Sequence, residues 1–410
     1  MQATTIRSLE RSRALYSRAK QIILGGAQTI SKQPERFHPG FAPAYIERGS
    51  GARLWDLDGN EYLDYVMALG PIVLGYAHPA VDDAVRRQLA RGVLFSGNSP
   101  LEVTVAEKLI ASVPGAERVR FFKTGADGCS AAVRLARKYT GRPFVVSCGY
   151  HGWHDWWAGL RGDGDVPRAA AELTLDVPYG DSAAVSRLFE EHGNALACVI
   201  VETVVHDLDA PFLRTVASLC RAHGAILVFD EVITGFRLAL AGVQEYSGIR
   251  PDLSVFGKAM ANGFPLAALV GKAEIFDAAR DLWISSTFAG ETLSLAAAAA
   301  TTDELRQPGA FAHLRAMGAR LLDGWRALSR EFPEVRVSIR GLESLPHLAF
   351  DAGFREQEDL FMETMLRNGF FVRRNHYWFT TLAHTAADID ETLACMRVAF
   401  RRIVESSCRT

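Results

Sequence analysis

Asp230, Glu231 and Lys258 carry charged groups at positions where the chain is otherwise apolar. The two carboxylates follow the apolar run 225–229 directly, and the lysine follows a second apolar run, 253–256, through Gly257. A carboxylate buried at the end of such a run is costly unless a cation meets it. A lysine in apolar surroundings has a lowered pKa and can act as a nucleophile. The pattern suggests a site where a carboxylate pairs with a cation and Lys258 attacks an electrophile, although a lysine taken alone is more often a solvated surface group.

The stretch "KTGADGCSAAVRLAR" favours an anion site. Thr124, Gly125 and Ala126 lie between an expected strand and an expected helix. Gly125 lets the backbone approach a ligand closely, and a helix start presents unpaired N–H groups and the positive end of the helix dipole, which suits a phosphate. Taken alone, the stretch favours a plain strand–helix turn, because glycine-containing turns of this kind are common, and it lacks the Walker pattern.

The stretch "CGYHGWHDWW" brings aromatic rings to the end of another expected strand. Tyr150 and Trp153 offer flat faces on which a planar ligand could stack. His151, His154 and Asp155 could suggest a metal, but the spacing offers no further clear ligands. We therefore expect stacking at this position and no metal site.

The candidate site residues must be positioned by the strands and helices around them. Short apolar runs alternate with helical patterns from about residue 78 to residue 271, which indicates an α/β fold with a mainly parallel sheet covered by helices. The alternation around Asp58 and Gly59 predicts a hairpin, and helical and strand patterns return after residue 300. We expect an N-terminal segment, 1–70, a large domain, 71–300, and a C-terminal segment, 301–410, with both terminal segments in a smaller α+β domain.

Composition excludes several classes of partner. The formal net charge of −2 gives no reason to expect nucleic acid. No apolar run approaches the roughly eighteen residues of a membrane span. The cysteines lack the spacing of a metal site or a disulfide framework, which favours reduced thiols and a cytoplasmic protein. They are Cys129, Cys148, Cys198, Cys220, Cys395 and Cys408.

The separate features converge on one ligand. In an open parallel sheet a ligand lies beyond the carboxyl ends of the strands. A phosphate cradle, an aromatic platform, a buried carboxylate and a nucleophilic lysine together suit pyridoxal 5′-phosphate (PLP). Its phosphate, ring, pyridine nitrogen and aldehyde need one of these groups each. Asp230 would hold the pyridine nitrogen protonated, which accounts for the burial of its charge.

The chain resembles the class III (subgroup II) aminotransferases of fold type I, including the glutamate-1-semialdehyde aminomutase branch. The resemblance covers nearly the whole length. It rests on "LWDLDGNEYLDY", "KTGADGCSAAVRLARKYTGR", "GYHGWHD", "VFDEVITGFR" and "PDLSVFGKAMANGFPLAALVG". It implies a large domain with a mainly parallel seven-stranded sheet and a smaller α+β domain.

The resemblance also implies roles for individual residues. Lys258 is the Schiff-base lysine, and Asp230 is the partner of the pyridine nitrogen. Thr287 reaches the phosphate of a neighbouring subunit, which implies a homodimer with shared active sites. Further residues lie around the cofactor: Thr124, Gly125, Ala126, Tyr150, His151, Glu202 and Val232. Ala126 stands where relatives usually have a hydroxyl residue, so one phosphate contact is missing unless Thr124 replaces it.

Substrate expectations rest on the departures from the family pattern. The segment with His376 and Tyr377 is aromatic and basic where the aminomutase branch has acidic and small residues, which argues against glutamate semialdehyde. With Trp153, these residues suggest a lining for a polyhydroxylated ring. We expect transfer of an amino group from a small donor, for which L-glutamate is a candidate, to a carbonyl of a sugar or aminocyclitol, in surface-glycan or aminoglycoside antibiotic biosynthesis. The alternatives are a 1,2-aminomutase, an amino-sugar epimerase, and a cofactor-binding scaffold without turnover.

Overall fold

The computed structural model describes residues 7–407. The chain forms two compact units. One is built from the segments up to His78 and from Ala312 onward, and the other from Pro79–Phe311. The three-segment domain division at residues 70 and 300 stays a prediction.

The unit Pro79–Phe311 is organised by a seven-stranded sheet with the order β4-β10-β9-β8-β7-β5-β6. Neighbouring strands from β9 to β6 run parallel, and β10 runs antiparallel to both β9 and β4. The prediction of a mainly parallel seven-stranded sheet is therefore confirmed. The strands are β4 (Arg118–Phe122), β5 (Phe144–Cys148), β6 (Thr174–Asp176), β7 (Leu196–Glu202), β8 (Ile226–Asp230), β9 (Leu253–Phe256) and β10 (Ala267–Gly271).

Helices of this unit separate the strands, as the sequence periodicity predicts. The central strands are buried along their lengths, which is why they read as continuous apolar runs. The helices are α2 (Pro79–Leu89), α3 (Pro100–Ser112), α4 (Gly125–Thr140), α5 (Asp155–Ala158), α6 (Arg168–Ala171), α7 (Ser182–His192), α8 (Ala210–His223), α9 (Val243–Ser247), α10 (Ala273–Ala278) and α11 (Thr292–Leu305).

The other unit contains two small sheets. One has the order β1-β2-β3-β13, and the other β11-β12-β14. Strands β2 and β3 pair antiparallel across the turn at Asp58 and Gly59, as predicted. The strands are β1 (Ile46–Ser50), β2 (Arg53–Asp56), β3 (Glu61–Asp64), β11 (Val337–Leu342), β12 (Leu345–Phe350), β13 (Phe370–Phe371) and β14 (His376–Tyr377). The helices are α1 (Glu10–Ile22), α12 (Ala310–Glu331, which starts just before the unit boundary), α13 (Arg355–Arg367) and α14 (Ala386–Ser407).

Two structural findings concern the expected absence of a membrane span and the expected free thiols. Within residues 7–407, no helix combines the length and hydropathy of a membrane span. Five cysteines carry free thiols, and Cys408 lies outside the described residues. The free thiols are those of Cys129, Cys148, Cys198, Cys220 and Cys395.

Candidate active site

The carboxyl ends of neighbouring strands bring several of the predicted residues to one edge of the sheet. Glu202 ends β7 and pairs in register with Asp230, which ends β8. Asp230 is in turn aligned with Val255 of β9, and Lys258 follows that strand after Gly257. Tyr150 follows β5, on the other side of β7. This edge is where an open parallel sheet accepts a ligand.

Asp230 is buried and accepts hydrogen bonds on both carboxylate oxygens. His151 Nδ1 lies 2.8 Å from Oδ2, and Cys129 Sγ lies 3.3 Å from the same oxygen. The backbone N–H of Val232 donates to Oδ1 over 3.1 Å. These three contacts fix the orientation of the carboxylate group, whose oxygens can accept a hydrogen bond from a ring N–H.

Lys258 has a strained backbone and an amine with a lowered pKa. Its φ of 43° lies in the left-handed region, where a residue other than glycine persists only if its surroundings enforce it. Burial lowers the pKa of the Lys258 amine, while the carboxylates of Glu202 and Asp230 oppose that shift and Arg237 adds to it. A larger share of Lys258 is therefore neutral, and so nucleophilic, near neutral pH than of an ordinary lysine.

Glu202 holds the loop that carries Tyr150. Its Oε2 accepts a hydrogen bond from the backbone N–H of Tyr150 over 3.0 Å, and burial raises the pKa of its carboxyl group. Gly149 has a φ of 105°, and a Cβ there would come within 2.5 Å of Glu202 Cβ. Glycine is therefore required for this close approach.

The start of α4 presents backbone N–H groups at the place where the sequence predicts an anion site. Gly125 and Ala126 belong to the first turn, whose N–H groups have no intrahelical partner. Thr124 caps the helix: its hydroxyl donates to Asp127 Oδ2 over 2.7 Å and accepts from the Asp127 N–H over 3.2 Å. The Thr124 hydroxyl is thus engaged in the cap, so it is a weaker substitute for the hydroxyl that Ala126 lacks. The small Ala126 side chain allows Gly152 to pack closely against it, since a Cβ on Gly152 would lie 2.4 Å from Ala126 Cβ.

The aromatic residues of this region differ in accessibility. Tyr150 is 58% exposed, and its ring packs edge-on against Trp157 at a centroid distance of 4.9 Å, which leaves surface for stacking. Trp153 is 74% exposed. Val232 packs near the start of α4, because a Cβ on Gly125 would lie 2.8 Å from Val232 Cγ2.

Three predicted residues lie away from this cluster in the chain. Thr287 is exposed in the segment before α11 and lines a cavity of about 640 Å³ that includes Phe95 and Gly290. His376 and Tyr377 form β14 in the other unit.

Two contacts were not anticipated from the sequence. The sequence predicts Cys129 only as a buried thiol, and its place one helical turn after Gly125 indicates no more than a shared face of the helix. Cys129, His151 and Asp230 bring three possible metal-ligand atoms within 4.8 Å of one another. Lys123 Nζ lies 3.0 Å from Glu291 Oε2, and this pair joins the loop before α4 to the segment that carries Thr287.

Comparison with known proteins decides the family. The family described as "Aminotransferase class-III" matches residues 37–400. The chain belongs to the class-III aminotransferases. The resemblance stated from the motifs is confirmed.

Named relatives of this aminotransferase match it along nearly its full length. It is 35% identical to glutamate-1-semialdehyde 2,1-aminomutase of Laribacter hongkongensis (strain HLHK9), over 96% of this chain and 100% of the relative. It is 33% identical to 3-aminobutyryl-CoA aminotransferase of Cloacimonas acidaminovorans (strain Evry), over 96% and 98%. The FumI protein of Sphingopyxis sp. MTA144, solved in its PLP internal aldimine form, has a TM-score of 0.90 with 31% identity over 97% of each chain.

The cofactor of the aminotransferase is PLP, the cofactor of the family. The residues at the sheet edge fit it. The first turn of α4 suits the phosphate, and the exposed ring of Tyr150 suits the pyridine ring. Asp230 suits the ring nitrogen and Lys258 the aldehyde.

Proposed function

We propose that this enzyme catalyses a ping-pong transamination in which Lys258 and Asp230 are the catalytic residues. The observation that carries the proposal is their juxtaposition: a lysine with a lowered amine pKa lies beside a buried carboxylate held by three donors. A buried lysine with a perturbed pKa beside a carboxylate is typical of a catalytic site.

The bound cofactor supplies an electron sink for the negative charge that develops at the substrate carbon. Asp230 holds the proton at the ring nitrogen by accepting a hydrogen bond from it, in an orientation that its three donors fix. Lys258, once displaced by the amino donor, takes and returns the proton at the reacting carbon. Glu202 fixes the loop of Tyr150 through the 3.0 Å backbone contact and so holds the stacking ring in place.

The acceptor we propose is the carbonyl of a sugar or aminocyclitol, and the donor is L-glutamate. Support comes from a cavity of about 460 Å³ beside Tyr150 and Glu202, which is also lined by Trp157, Tyr179 and Asp176. Aromatic faces with carboxylates among them suit a ring that presents C–H groups on its faces and hydroxyls at its edge. Trp153, His376 and Tyr377 are proposed as further substrate contacts.

The acceptor proposal is tested by loading the enzyme with pyridoxamine phosphate and adding carbonyl compounds. We expect keto and aldehyde sugars to restore the visible absorbance of the lysine-bound cofactor. A panel of β-keto acids and arylalkyl ketones serves as the comparison. A response confined to that panel would contradict the sugar proposal and leave transamination intact.

A homodimer with shared active sites is also proposed. Exposed aromatic side chains near Thr287 support it, since Phe95 is 46%, Trp283 87% and Phe288 59% exposed. Mixed dimers of Lys258→Ala and Thr287→Ala chains test the sharing. We expect each mixed dimer to keep one site with normal cofactor affinity, because its intact Lys258 meets an intact Thr287 from the other chain. Mixtures that behave as the average of the two parent variants would contradict it.

A second candidate function is a 1,2-aminomutase, favoured by the 35% identity to glutamate-1-semialdehyde 2,1-aminomutase. A mutase needs no external donor, whereas a transaminase releases one keto acid per amino group transferred. Keto-acid release from glutamate therefore separates the two, and exchange of substrate hydrogen with solvent without keto-acid release would indicate an epimerase.

We propose a cytoplasmic location, supported by the free thiols.

A further inference from the structure

Asp230 is held by helix α4 as well as by its own strand. The Cys129 thiol reaches Asp230 Oδ2 from α4 over 3.3 Å, and His151 Nδ1 reaches the same oxygen over 2.8 Å. Oδ1 accepts the Val232 N–H. A carboxylate oxygen accepts about two hydrogen bonds, so Oδ2 is filled and Oδ1 keeps capacity for one more donor. The three contacts together decide which oxygen is available to a ring N–H.

The Cys129 sulfur acts here as a donor. The residue is 1% exposed. Burial and the charge of Asp230 raise the pKa of the Cys129 thiol well above its ordinary value. The thiol donates its proton to the carboxylate over 3.3 Å, which is a hydrogen-bonding role.

Helix α4 touches both ends of the proposed cofactor site. Its first turn contains Gly125 and Ala126, and Cys129 follows one turn later on the same helix. The helix lies close against the strand ends: a Cβ on Gly128 would come 2.6 Å from Val255 Cγ1, and a Cβ on Gly125 would come 2.8 Å from Val232 Cγ2. Close packing of this kind leaves little freedom for the helix to slide.

We propose that Cys129 is a positioning residue that sets the orientation of Asp230 and ties it to the anion cradle through helix α4. The thiol fixes the carboxylate plane, so that Oδ1 faces the ligand at a set distance from the first-turn amides. This proposal rests on the proposed function, because it concerns the carboxylate that pairs with the cofactor ring.

The test uses Cys129→Ala, Cys129→Val and Cys129→Ser. Alanine and valine both remove the donor, and valine fills the space, whereas serine keeps a donor of similar size. Cys220 is also 1% exposed and free, lies on α8, and supplies matched Cys220→Ala and Cys220→Ser controls for the cost of changing a buried thiol. The readouts are the PLP dissociation constant, the pH midpoint of the visible absorbance of the bound cofactor, and the unfolding temperature of the cofactor-free protein.

We expect the alanine and valine variants to raise the PLP dissociation constant roughly 5- to 30-fold, the effect of losing one hydrogen bond to a charged acceptor. The pH midpoint should move upward, because a carboxylate with one donor fewer presents a more negative field to the protonated lysine–cofactor linkage. Serine should restore both values, and the Cys220 variants should change neither.

Three outcomes would overturn the proposal. Alanine and valine variants with wild-type affinity and pH midpoint would show that the thiol only fills space. A serine variant as weak as alanine would show the same, as would affinity losses that merely follow the unfolding temperature. Wild-type protein that binds no PLP would instead overturn the proposed function, and the inference with it.

Discussion

His151 Nδ1 lies 2.8 Å from Asp230 Oδ2, and both side chains are buried at the edge of the central sheet. The histidine follows β5 and the aspartate ends β8, with β7 between the two strands. A contact across an intervening strand is possible because the loop after β5 folds back over the sheet edge. The carboxylate proposed to pair with the ring nitrogen is thus braced by a loop remote in sequence.

Replacement of His151 tests this brace. His151→Leu removes the donor and should raise the PLP dissociation constant about 10- to 100-fold, since a hydrogen bond to a buried charge is lost. His151→Asn can place an amide N–H near the position of Nδ1 and should recover most of the affinity. Spectroscopic PLP titration measures both. Equal losses in the two variants would mean that ring packing against Trp156, not donation, is what matters.

A second prediction concerns the close packing of Gly125 against Val232. Gly125→Ala places a Cβ 2.8 Å from Val232 Cγ2, so the first turn of α4 must shift and PLP affinity should fall about tenfold. Val232→Ala removes the clashing atoms and should rescue part of the loss in the double variant. A double variant in which the two losses simply add would contradict a direct contact.

The lowered pKa of Lys258 predicts how cofactor capture depends on pH. Only the neutral amine attacks the aldehyde, so the capture rate in cofactor-free protein should rise with pH and have its midpoint below 10.5, the ordinary lysine pKa. Removing the opposing charge with Glu202→Gln should move the midpoint lower still. Stopped-flow absorbance measures the rate, and a midpoint at or above the ordinary value would contradict the prediction.

The buried carboxyl group of Glu231 should make the stability of the folded protein depend on pH. It accepts hydrogen bonds from Thr203, Thr234 and the amides of Val243 and Gln244. Burial nevertheless raises the pKa of its carboxyl group to about 7 from an ordinary value of 4.5. Between these two pH values the folded protein binds more protons than the unfolded chain, so its free energy of unfolding falls as pH rises.

The expected size of this effect is on the order of 3 kcal/mol. Thermal unfolding of the wild type and Glu231→Gln between pH 4.5 and 7 measures it, with the exposed Glu190→Gln as control. The unfolding temperature of the wild type should fall through this range relative to that of Glu231→Gln. Parallel curves for the two proteins would contradict the raised pKa.

Much of this architecture could be predicted because it follows from local pattern. Strands β7, β8 and β9 are buried apolar runs, and their ends carry Glu202, Asp230 and Lys258 on one edge by the rules of a parallel sheet. The contact of Cys129 with Asp230 could not be predicted, because it depends on how deeply α4 packs against the strand ends. The use of the Thr124 hydroxyl in the helix cap has a sequence signal, because Thr124 and Asp127 stand three residues apart in the pattern of a capping box.

The central claim is that Lys258 binds the cofactor covalently while Asp230 holds its ring. Borohydride reduction of the PLP-loaded enzyme followed by peptide mass mapping tests it most directly, because reduction makes the lysine–cofactor bond permanent. We predict a single modified peptide carrying the adduct on Lys258, with loss of the adduct in Lys258→Ala. An adduct on another lysine such as Lys123 or Lys272, or no adduct at all, would contradict the account.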